Sequence, residues 1–135
     1  KTFSDKAAEE LKIFSNAVRE IVTMSIVAFE TEDLDKAKLV EPLEEVVNYL
    51  NNEVKKRHVK RLRKGKCTIE LGFVLSDITT NFERVADHCS NIAVCLLQVQ
   101  GDNFETHEYL DTLRDEDNMD FRGMVLAYKD KYTLP

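Results

Sequence analysis

The chain has 135 residues, 43% of them hydrophobic and 33% charged, with a formal net charge of −6. That length suffices for one domain with a real core, and the balance of residues belongs neither to a disordered chain nor to a membrane-embedded one. The acidic excess argues against a general nucleic-acid binder. Four glycines and two prolines are too few for a protein of many tight turns, so the composition points to long helices.

In chain order, Ser4 or Asp5 can cap a first helix, since either side chain accepts a hydrogen bond from a free backbone N–H. Ala8, Leu11, Phe14, Val18, Ile21 and Val22 then recur at helical spacing, and the pattern runs to about Phe29. Glu30 to Leu34 forms a short acidic connection, read as capping for the next helix, whose N-terminus favours negative charge. The second helix opens near Asp33 or Asp35 and buries Leu39, Leu43, Val46, Val47, Leu50 and Val54. Pro42 lies within this pattern. It is internal to a continuous, kinked helix, or it sits in the first turn of a new helix after a break at Val40 or Glu41; the first is the expectation. Glu41, Glu44, Asn48, Asn51 and Lys55 line a polar stripe beside the apolar face. From Lys55 to Lys66 the chain is strongly basic, as suits a helix C-terminus, and Gly65 is the natural residue to end it.

Cys67 and Thr68 begin a third helix that fades near Gln100. Leu71, Leu75, Ile78, Phe82, Val85, Cys89, Ile92, Leu96 and Val99 alternate at steps of four and three, a heptad seam expected to face the core. Glu83 and Asp87 fall on the opposite side, one turn apart, where like charges weaken a helix slightly. Solvent and Arg84 offset that in one reading, a bound cation in the other. Hard carboxylate oxygens would suit magnesium, calcium, manganese or iron. Beyond Gln100, Phe104 to Leu113 is expected as a short helix, Arg114 to Asp120 as a charged linker and Met119 to Tyr132 as a further helical stretch. The large apolar groups among them should dock on the bundle or on a second copy of it.

The expected fold is therefore all-α. Residues 1–100 form an antiparallel, up-down-up three-helix bundle, and residues 101–135 a C-terminal helical extension packed on it. Cys67, Cys89 and Cys95 form no C-x-x-C pair and read as reduced core thiols in a cytosolic compartment. No apolar run reaches the roughly eighteen residues of a membrane span, and no signal peptide is visible. The first residue is Lys1 rather than Met, which suggests a piece of a longer protein. The sequence lacks G-x-S-x-G, H-E-x-x-H and any E-x-x-H pair, so no enzyme is expected. His88 reads as a structural helix contact.

Asn81 to Ala93, N-F-E-R-V-A-D-H-C-S-N-I-A, resembles the E-R-x-x-D-H-x-x-N-I-A signature of the PhoU family, helical-bundle proteins of phosphate uptake. The resemblance covers roughly Thr2 to Gln100. The D-H-C-S-N-I-A form, after a K-G-K-C turn, is most similar to the PhoU-like domain that follows the membrane part of bacterial sodium/phosphate cotransporter-type proteins. It implies a non-catalytic regulatory domain of a sodium-dependent phosphate transporter, on the cytoplasmic side of the bacterial inner membrane. Its partners would be the membrane domain of the same chain, a second copy in a homodimer and an anionic membrane surface next to the basic turn, with no nucleic acid. The alternative is a free-standing PhoU-type regulator that contacts a transporter or sensor kinase. Such proteins usually carry two tandem bundle units, and this chain has one. The resemblance also puts metal-binding acids at Glu83 and Asp87. A second such pair reads Glu44 and Asn48 here, an amide in place of an acid. The implied cofactor is at most one weakly bound divalent or iron cation at Glu83, Asp87 and Glu44, none being required for folding.

Overall fold

The computed structural model describes residues 3–100 and 119–135. Four helices occupy these residues: α1 (Asp5–Thr31), α2 (Leu34–Arg63), α3 (Ile69–Gln100) and α4 (Met119–Lys131). The three long helices would each extend about 40 to 48 Å at 1.5 Å per residue. The all-α expectation holds, and α1, α2 and α3 pack pairwise on one another as a bundle with short connections.

Local chemistry sets the ends of the helices. Ser4 caps α1 by accepting from the Ala7 N–H at 3.2 Å, and Asp33 caps α2 by accepting from the Lys36 N–H at 3.1 Å. The acidic connection is thus a capping device. Between these helices Glu32 takes a left-handed conformation with φ 54°, a place where glycine is more usual. Gly65, at φ 69°, ends α2 as its backbone freedom allows. Thr68 accepts from the Leu71 N–H at 3.2 Å and opens α3.

Helix α2 is continuous through Pro42. The missing proline N–H deprives the Lys38 carbonyl of its partner, and Lys38 is exposed, so solvent can supply one. Pro42 itself is fully buried with Val40, Leu43, Val46, Val47, Leu50 and Val54, so the expected face of α2 is the core of the bundle. From α1 come Phe14, Ala17, Ile21 and Ala28. Phe14 meets Phe82 of α3 edge-on, with ring centroids 5.1 Å apart.

Helix α3 is rotated from expectation. Of the heptad seam, Leu75, Cys89 and Leu96 are buried, but Val85, Ile92 and Val99 are 37%, 41% and 79% exposed. The buried line runs instead through Leu75, Thr79, Ala86, Ser90, Ala93 and Val94. Small side chains at 79, 86, 90 and 93 let the backbones approach closely. A side chain at position 72 would also be obstructed: a Cβ on Gly72 would stand 2.8 Å from Nε2 of His58, a buried residue of α2. Of the cysteines, Cys89 is buried, Cys67 half-buried and Cys95 exposed, so the expectation of three core thiols holds for one.

Helix α4 packs on α2. Phe121 and Tyr132 are buried, the Lys129 ammonium lies 4.3 Å from the centre of the Tyr49 ring, and Tyr132 and Lys131 both bond Glu20 of α1. This part of the C-terminal extension docks on the bundle. The short helix expected at Phe104 to Leu113 and most of the linker after it lie outside the described residues.

The rotation of α3 is testable. Ala86→Leu should cost about 1 to 3 kcal/mol by overpacking, whereas Val85→Ala, on the neighbouring exposed flank, should cost well under half as much. Urea denaturation of both variants measures this, and a larger loss from Val85→Ala would return α3 to its heptad register.

Candidate functional site

The polar stripe of α2 meets α3 rather than solvent. Glu41, Glu44, Asn48 and Asn51 follow one another at steps of three and four, which stacks them along one side of the helix. Glu41, Glu44 and Asn51 are buried, Asn48 half-buried. Two bonds tie the stripe to α3. Asn51 donates from Nδ2 to Glu83 Oε2 at 2.6 Å, and the Ser90 hydroxyl donates to Glu41 Oε2 at 2.5 Å. As the number rises from 41 to 51 along α2, its partner falls from 90 to 83 along α3, as antiparallel helices require. Within α2, Asn48 donates from Nδ2 to Glu44 Oε1 at 2.9 Å.

These contacts alter the chemistry of the stripe. Burial first, and then the negative charge of Glu41 one turn away, push the Glu44 carboxyl up to about 7. The bonds from Asn48 and Ser90 act in the opposite direction without cancelling this. Glu44 is therefore poised to exchange a proton near neutrality, inside the bundle, next to a second carboxylate.

Of the three expected metal ligands, Glu83 does not lie on an outer face. It is half-buried and bonded to α2. Asp87 is exposed and Glu44 buried. Among the described residues no three His, Cys, Asp or Glu side chains converge as a metal cage. Asn51 donates to one oxygen of Glu83 and Asn48 to one oxygen of Glu44, which leaves fewer acceptors free for a cation. His88 is exposed rather than held between helices.

Three participants lay outside the expectation. Ser90 and Asn51 were legible as polar helix positions, but neither carried a signal that it would bridge α2 and α3. His58 is buried on α2 with Nδ1 3.3 Å from Cys67 Sγ, while Nε2 has no partner among the described residues. Burial first, then the Arg61 charge, lower its pKa, so the imidazole is neutral at pH 7.

The PhoU domain family matches residues 11–96, well over half of the chain, covering all of α2 and most of α1 and α3. A protein of Thermotoga maritima, the phosphate-specific transport system accessory protein PhoU homolog 1, is 27% identical over 92 residues. The match covers 68% of this chain and 40% of that protein, so the chain spans about two fifths of the relative's length. No solved structure matches the chain significantly. No helix among the described residues is long and apolar enough to cross a membrane.

Two outcomes are expected of this stripe. Because the folded-state pKa of Glu44 lies above its unfolded value, the neutral carboxyl favours folding at low pH. That contribution is lost as pH rises through about 7. The Tm advantage of the native chain over Glu44→Gln should therefore shrink between pH 5 and pH 8.5; parallel melting curves across that range would refute it. Asn48→Asp should strengthen manganese binding at least tenfold over the native chain, because it replaces an amide donor with a carboxylate. Calorimetric titration with manganese reads this, and equal affinities would mean that the amide is not what keeps the stripe from holding a cation.

Proposed function

Since the chain belongs to the PhoU domain family, we propose that it regulates phosphate uptake by binding to a transport system rather than by turning over a substrate. The observation that carries this reading is the family match across α2 and the greater part of α1 and α3. Its buried polar stripe suits the role. A seam of bonded carboxylates and amides between two helices can change its packing when a proton or a partner changes one member, and no leaving group or nucleophile is involved.

The finer reading is a cytoplasmic domain attached to a sodium-dependent phosphate transporter, with the membrane part of the same chain as its partner. The cotransporter-like D-H-C-S-N-I-A run, Asp87 to Ala93, supports it. A second reading is a separate accessory protein, and the name of the Thermotoga maritima relative favours that one. Apolar spans of about twenty residues elsewhere in the parent reading frame would identify the attached form.

The test is deletion of this segment in the source cell, followed by uptake of radiolabelled phosphate in phosphate-rich and phosphate-poor medium. The deletion should abolish the reduction of uptake in rich medium, and reintroduction of the segment should restore it. Uptake that responds to phosphate equally with and without the segment would overturn the proposal.

A further inference from the structure

The end of the bundle away from the acidic connection carries a cavity of about 980 Å³, walled by the first turns of α1, the last turns of α2 and Pro135. Eight lysines and arginines line it against two glutamates, a local excess of six positive charges in a chain whose net charge is −6. The C-terminal dipole of α2 accounts for Lys60, Arg61 and Arg63 in its last turn. It does not account for Arg57 one turn earlier, nor for Lys6 on α1.

The arrangement is built, not only charged. Glu10, 1% exposed, reaches from α1 to hold Arg57 Nη1 at 3.1 Å and Arg61 Nη2 at 2.9 Å. One buried carboxylate thus fixes two guanidinium groups and neutralises half their charge. Arg61 keeps a buried Nε–H with no partner among the described residues, which is costly unless an acceptor is supplied. Planar guanidinium groups held in place are suited to phosphoryl oxygens.

We propose that this cavity is a binding site for a ligand carrying two or more phosphoryl groups. A single phosphoryl group brings about −1.5 to −2 charge at pH 7, which leaves most of the local positive charge unmatched. The volume lies at the upper end of the roughly 300 to 1,000 Å³ of small-molecule sites. The ligand is a soluble oligophosphate or the phosphate headgroups of an anionic membrane; the chemistry of recognition is shared. The inference does not rest on the family reading above.

Calorimetric titration of the 135-residue chain with sodium tripolyphosphate tests it, with inorganic phosphate as the comparison. Tripolyphosphate should bind at least tenfold more tightly than phosphate, and more weakly as salt rises. Substitution of Arg57 or Arg61 would strand Glu10, so the diagnostic variant is Lys56→Gln with Lys60→Gln, both exposed cavity residues. It should lose at least tenfold in affinity with an unchanged Tm, while Lys36→Gln with Lys38→Gln, in the first turns of α2 at the opposite end of the bundle, should bind within twofold of the native chain. Flotation with phosphatidylcholine vesicles containing phosphatidylglycerol separates the sources. Capture that tripolyphosphate competes away assigns the site to headgroups, and tripolyphosphate binding without capture assigns it to a soluble ligand. No binding of tripolyphosphate, or equal losses in the two double variants, would overturn the proposal.

Discussion

Helix α2 buries two carboxylates, an amide and an imidazole, and each of these must be satisfied by something outside its own apolar face. An unpaired buried polar group costs a few kcal/mol and an unpaired charge more. The bonds Asn51 to Glu83 and Ser90 to Glu41 meet part of this demand across the α2–α3 contact. Because each bond has one geometry, the pair sets how far α3 slides along α2 and how it is turned. Apolar packing alone is far less selective, since one methyl can replace another at small cost. The same logic operates at the other contact of α2, where Glu10 of α1 is buried against Arg57 and Arg61.

The rotation of α3 follows. With Glu83 drawn to α2, the line of Thr79, Ala86 and Ala93 turns inward and Val85, Ile92 and Val99 turn out. Small residues on the inner line suit a close approach of backbones, and Gly72 leaves the space that the buried His58 ring occupies. The polar bonds and the small residues favour the same orientation, an agreement between levels that marks a well-specified packing.

Charge is divided along the bundle in a way that net charge conceals. Glu44, its carboxyl raised to about 7, lies within the α2–α3 seam, and a basic cavity lies at the far end of α2, about three to six turns further along. Both depend on α2, whose turns between Asn51 and Arg57 connect them as one rigid element.

The helices, their ends and one of their faces were legible in the chain before it folded. Ser4, Asp33 and Gly65 act on backbone groups three or four residues away, and Leu43, Val46, Leu50 and Val54 share a side through the 3.6-residue period alone; nothing distant is needed to read either. The chain also carried the family signature around Glu83 and Asp87. Which side of α3 lies inside was set by its packing on α1 and α2. Leu75, Cys89 and Leu96 are flanked on one side by Thr79, Ala86 and Ala93 and on the other by Val85, Ile92 and Val99; periodicity and hydrophobicity favour the second flank, yet the first is the one inside. That packing also decided the surroundings of the candidate ligands. Glu83 and Asn51 are 32 residues apart in the chain, and only the docking of α3 on α2 turned an expected outward carboxylate into the acceptor of a buried amide.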